Sequence, residues 1–109
     1  QGRILEAIAA FERAVALEPE DAAFRFQLGA ALAAAGQPGP AIAQFEEFLR
    51  LEPGGVQAAK AHNNLGILFA SAGRTAEAIP HFAAAVRLAP DFVDAAENLS
   101  RARGLASAE

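Results

Sequence analysis

GRILEAIAAFERAVALEP (residues 2–19) returns as GQPGPAIAQFEEFLRLEP (36–53) and again as GRTAEAIPHFAAAVRLAP (73–90), at spacings of 34 and 37 residues. A fixed period of this length marks a supersecondary unit used repeatedly, so it constrains every later reading. The copies agree at Ala7, Ala41 and Ala78, at Ile8, Ile42 and Ile79, at Phe11, Phe45 and Phe82, at Leu17, Leu51 and Leu88, and at Pro19, Pro53 and Pro90. Between them a second element recurs, marked by Leu28-Gly29, Leu65-Gly66 and Leu99-Ser100. The repeating unit is therefore two segments long.

Both segments read as helices. Phe24, Leu28, Ala31 and Leu32 fall at helical spacing in one, and Ile8, Phe11 and Val15 with their equivalents make an apolar stripe in the other. Gly36 and Gly73 stop the first kind of helix and open a tight turn, while Pro19, Pro53 and Pro90 stop the second. Gly29 and Gly66 each cost about 1 kcal/mol inside a helix. That cost implies a neighbouring helix too close for a side chain, with Ala7, Ala41 and Ala78 as the expected small partners. The spacing predicts helices at about 3–17, 22–35, 40–51, 57–72, 75–88 and 91–103. Pro80 falls in the second turn of its helix and removes one hydrogen bond there. The three extra residues around Gly54, Gly55 and Val56 are expected to lengthen the loop or add most of a turn to the following helix.

These columns closely resemble the tetratricopeptide repeat family, whose unit of 34 residues pairs a helix A carrying Leu-Gly with a helix B carrying an Ala, Phe, Ala, Pro series. The resemblance implies an all-α fold, an α-α superhelix or solenoid of antiparallel helix pairs, with about two and a half to three repeats plus a terminal helix. It divides a single domain 1–109 into the second half of a truncated repeat (1–21), a full repeat (22–55), a full repeat with a short insertion (56–90), and a capping helix and tail (91–109). Two columns depart from the family. The aromatic early in helix A is replaced by Arg25, His62 and Ala96, and the small residue late in helix B by Phe48.

Composition narrows the chemistry. The chain has 109 residues, 53% of them apolar and 30 of them Ala, with a formal net charge of −4. Such a chain collapses, and it lacks the basic stripe that nucleic acid requires. No apolar run reaches the roughly 18–20 residues of a membrane span. Without Cys there is no thiolate chemistry, although a Cys-free chain fits any redox compartment. One Lys against eight Arg points to a GC-rich coding genome, and a first residue Gln1 with no Met anywhere reads as a piece of something longer. No cofactor is expected. Ser71, Ser100 and Ser107 lie outside any nucleophile-elbow context, and the glycines lack the Lys-Ser/Thr of a phosphate loop. His62, in the column of a half-buried aromatic, reads as a packed and hydrogen-bonded ring. Glu77 and His81, four apart, read as an exposed ion pair before they read as half of a metal site.

Binding is the better prospect, because stacked repeats present an extended concave surface lined by helices A. Helix phase places Ala23, Phe26, Gln27, Ala30 and Ala33 on that surface in one repeat, Lys60, Asn63, Asn64, Ile67 and Ala70 in the next, and Asn98 after them. Between Ala22 and Phe45 the only charged residue is Arg25, and between Pro53 and Ala76 only Lys60 and Arg74, whereas acids gather on helices B. An apolar to faintly basic inner face and an acidic outer face follow. Gln27, Asn64 and Asn98 stand before the Leu of each helix A, where amides can pair with an extended peptide backbone or else with neighbouring helices. The run Ala61 to Gly66 is similar to the tetratricopeptide superhelix of O-linked N-acetylglucosamine transferases, in which an asparagine ladder holds peptide. Phe26 faces either a ligand side chain or an upstream helix.

The expected function is thus a non-catalytic scaffold that binds a peptide segment of a partner protein. Two alternatives stand beside it: self-association through Ile4, Leu5, Ile8 and Phe11, which lack the usual helix A cover, or a substrate-presenting arm of a larger transferase.

Overall fold

The computed structural model describes residues 2–108, which form six helices: α1 Gly2–Leu17, α2 Ala22–Ala34, α3 Pro38–Leu51, α4 Val56–Ser71, α5 Thr75–Leu88 and α6 Val93–Ala108. The fold is all-α. Contacts divide the chain into two compact units, Gln1–Pro53 holding α1 to α3 and Gly54–Glu109 holding α4 to α6.

Local sequence accounts for the helix ends. The Asp21 carboxylate accepts from the Phe24 amide at 3.4 Å and caps α2, satisfying one of the amides that a first turn leaves without a partner. Gly36 ends α2 at φ +75°. The amides of Gly36 and Gln37 reach back to the carbonyls of Ala33 (3.0 Å) and Leu32 (2.9 Å). Gly73, at φ +78°, repeats this after α4, with Gly73 and Arg74 donating to Ala70 and Phe69. The pattern is a Schellman cap, whose left-handed residue is most easily a glycine. Prolines close α1, α3 and α5. Each fixes its predecessor outside the helical region, as at Glu52 (φ −134°, ψ 81°) before Pro53 and Ala89 (φ −140°, ψ 84°) before Pro90.

Two helices differ from the periodic reading by more than a residue, α3 and α6, and the insertion after Pro53 takes one of its two expected forms. Helix α3 starts at Pro38 rather than near residue 40, because its first-turn amides need no partner and both Pro38 and Pro40 are tolerated there. The insertion after Pro53 lengthens the helix: α4 has 16 residues where α2 has 13. Helix α6 passes through Gly104 to Ala108 instead of ending near 103, since a single helical Gly costs only about 1 kcal/mol and Ala-rich sequence follows. Helix α5 runs from Thr75 to Leu88 through Pro80 without a break.

In the first unit Ile8, Leu28, Leu32, Ala41, Phe45 and Phe48 are buried. In the second the core is built on Leu65, Phe69 and Phe82 among many alanines. The helical glycines do admit a close neighbour, and the nearest group is an aromatic ring rather than the expected alanine. A methyl group on Gly29 would lie 3.1 Å from the edge of Phe45, and one on Gly66 would overlap the ring of Phe82. Each conserved-looking column of the internal repeat, Leu-Gly on one helix and Phe on the next, is thus a ring seated on a bare backbone.

Candidate functional site

The first unit carries Phe26, Gln27 and Ala30 on α2. Gln27 and Ala30 are exposed. Phe26 is half-buried and meets Phe45 (ring centroids 5.4 Å, 80°) and Phe48 (5.2 Å, 73°) edge to face, an arrangement that aromatic quadrupoles favour. Both partners lie on α3, so the ring is part of the packing of its own unit. Arg25 takes the place of the family's aromatic by spanning elements: its guanidinium donates to Gln44 Oε1 at 3.1 Å and to the Pro19 carbonyl at 3.3 Å. On α1, Ile8 is buried, Ile4 and Phe11 are half-buried, and Leu5 is 50% exposed.

In the second unit, Lys60 is exposed, Asn64 half-buried and Ile67 43% exposed along α4. Asn63 is 7% exposed and does not face solvent as a ligand group would. Its Oδ1 accepts from Asn98 Nδ2 at 3.0 Å, while Asn98 Oδ1 accepts from Arg101 Nη1 at 3.0 Å. Asn98 therefore spends both ends of its amide inside the fold, joining α6 to α4. Burying an amide oxygen without a partner is costly, and Asn98 supplies the partner of Asn63 Oδ1.

His62 and His81, 19 residues apart, face each other across α4 and α5 with their Nδ1 atoms 3.0 Å apart. One Nδ1 must donate and the other accept. His81 also stacks on Phe69 (5.6 Å, 12°), over whose ring the Arg74 guanidinium sits at 4.7 Å. Glu77, four residues before His81, is also held by an arginine. Arg74 donates to its two oxygens at 2.6 and 2.7 Å, which holds the carboxyl below the usual range. Among the described residues no three His, Asp or Glu side chains gather as a metal site would need, and no helix is long and apolar enough to cross a membrane.

Burial, then the neighbouring charge of His81, then that of Arg87, lowers the His62 pKa from 6.5 to about 4. The fold thus binds fewer protons than the unfolded chain between those values, so stability is full above about pH 6.5 and falls as pH drops toward 4. Because the ring is half open to solvent, screening reduces the loss to about 1–2 kcal/mol. Thermal melts of the wild type at pH 7 and pH 4.5 are expected to differ more than those of His62→Phe. An equal difference in both proteins would remove the His62 contribution.

A cavity of about 170 Å³ opens between α4 and α6 over the floor provided by α5, lined by Ile67, Ala70, Phe82, Arg101, Ala102 and Leu105 among others. Of the residues that line it, Ile67, Ala70 and Asn98 are among those that helix phase selects. Arg101 and Leu105 were legible in principle, since the Leu65 to Leu99 offset carries Ile67 onto Arg101 and Ser71 onto Leu105.

Paired helices stacked on Leu-Gly steps place the chain in the helical-repeat class, in which each repeat packs on its neighbours. The sequence pattern of the tetratricopeptide repeat matches residues 1–55 and 34–91. The chain belongs to the tetratricopeptide repeat family. It is 38% identical over 65 residues to the TPR repeat-containing thioredoxin TTL4 of Arabidopsis thaliana, a match to 60% of this chain and 9% of that protein. Among solved structures, the Thermobaculum terrenum O-GlcNAc transferase superposes on 93% of the chain with TM-score 0.80 and 27% identity, over 19% of its own length. YrrB, described as a TPR protein with an unusual peptide-binding site, superposes on 88% with TM-score 0.81 and 29% identity, over 48% of its length. The chain spans about half or less of each of these proteins.

Proposed function

We propose that the chain is a non-catalytic interaction module that holds a peptide segment of a partner protein on the exposed faces of its A-type helices. The observation that carries this reading is on α4. Exposed Lys60 and Ile67 flank half-buried Asn64 on a helix with no other formal charge. An aliphatic side chain that remains 43% exposed beside an amide offers a partner both apolar area and main-chain hydrogen bonding. The likeness to YrrB, itself a peptide binder by its description, supports the same reading. Gln27 and Ala30 are the corresponding exposed positions on α2.

Asn64 is the amide to test, because Asn98 is committed to Asn63 and its removal would strand a buried carbonyl. Selection from a displayed random peptide library on the whole chain is expected to yield binders, and Ile67→Asp with Asn64→Ala is expected to weaken them at least tenfold with an unchanged circular dichroism spectrum. Failure to enrich any peptide, or equal affinity for the double variant, would overturn the assignment of this face.

A further inference from the structure

We propose that the α4–α6 cavity takes a bulky aliphatic side chain of the partner peptide and that Arg101 grips a carboxylate next to it, so that the recognised motif is aliphatic and acidic. The inference rests on the peptide-binding reading above and names the chemistry of its ligand. The cavity volume of about 170 Å³ is several times the roughly 30 Å³ that one water occupies in the liquid, which suits one branched side chain. Its walls are mostly apolar, and two of them, Ile67 at 43% and Leu105 at 53% exposed, gain cover only when something enters.

The charge at its rim is of one sign. Arg101 lines the cavity and, among the described residues, no Asp or Glu does. Among the described residues no carboxylate stands within ion-pair distance of Arg101. Its side chain is nevertheless positioned: Nη1 donates to Asn98 Oδ1, Asn98 donates to Asn63, and Asn63 is buried. Of five guanidinium donors this bond uses one, and the rest match the fork geometry of a carboxylate. Part of the entropy of ordering a long side chain is then spent before the partner arrives, which favours specific capture.

The test uses a displayed random peptide library on the whole chain, followed by synthetic peptides of the selected sequence. Selected peptides are expected to share Leu, Ile or Val within two residues of Asp, Glu or the C-terminal carboxylate. Arg101→Glu is expected to weaken such a peptide at least tenfold, and a peptide with Lys in place of the acid is expected to recover affinity for that variant. Binders without this signature, or binders indifferent to Arg101→Glu, would overturn the inference while leaving the peptide-binding reading intact. No binders at all would overturn both. If, in addition, the Ile67 and Leu105 amide signals moved on dilution of the protein alone, the cavity would pass to a second copy of the chain.

Discussion

Phe45→Ala is expected to remove about 3–5 kcal/mol of folding free energy, the range for truncating a buried aromatic. Phe45 is fully buried, its ring lies edge to face with Phe26, and its edge fills the space left by Gly29. Truncation therefore forfeits both contacts together with the burial, and the bare backbone of Gly29 offers no side chain that could relax into the hole. A chain of this length has a total stability of about 5–15 kcal/mol. The urea midpoint, followed by circular dichroism, is expected to fall by about 2 M for a denaturant slope near 2 kcal/mol/M. Phe11→Ala, in the same repeat column but half-buried, is expected to cost clearly less. Equal losses at the two positions would mean that the column of the repeat, and not the burial seen in the structure, sets the energy.

Gly66→Ala is expected to destabilise by about 2 kcal/mol, against the direction that helix propensity alone gives. Ala exceeds Gly by about 1 kcal/mol in a helix interior, yet the added methyl group would overlap the ring of Phe82, which is itself 2% exposed. Overpacking of this kind costs about 1–3 kcal/mol, and more when the neighbour cannot move. At Gly29 the same methyl would meet Phe45 at 3.1 Å, so small ring adjustments suffice, and Gly29→Ala is expected to change stability by less than about 0.5 kcal/mol as the two effects offset. Chemical unfolding of both variants checks the ranking. In a double-mutant cycle, Gly66→Ala is expected to cost less in a Phe82→Leu background than in the wild type, since residues in contact are non-additive. A stabilising Gly66→Ala would show that no such contact exists.

The candidate site was legible only in part. Ile67 and Lys60 lie exposed on α4. Asn63 is buried instead, and Asn98 on α6 bonds to it. Two neighbouring amides on α4 differ by 100° in direction, and a single sequence does not state which of them the next helix A will meet. Phe26 gave a similar ambiguity, because its edge-to-face partners Phe45 and Phe48 are about 20 residues away on another helix.

What the sequence by itself determined is the set of features that depend on near neighbours: the repeat, the order of six helices, and their ends at Gly36, Gly73 and the three prolines, where backbone sterics act within a turn or two. The tertiary structure decided which groups meet across helices. It brought His62 to His81 and gave Glu77 to Arg74. It set aromatic rings and not alanines against Gly29 and Gly66. It also placed Arg101 beside an apolar cavity. These choices follow from interhelical distance and rotation, which shift by a few ångströms with the volume of each packed side chain, and a periodic pattern of apolar residues fixes the buried face without fixing that register.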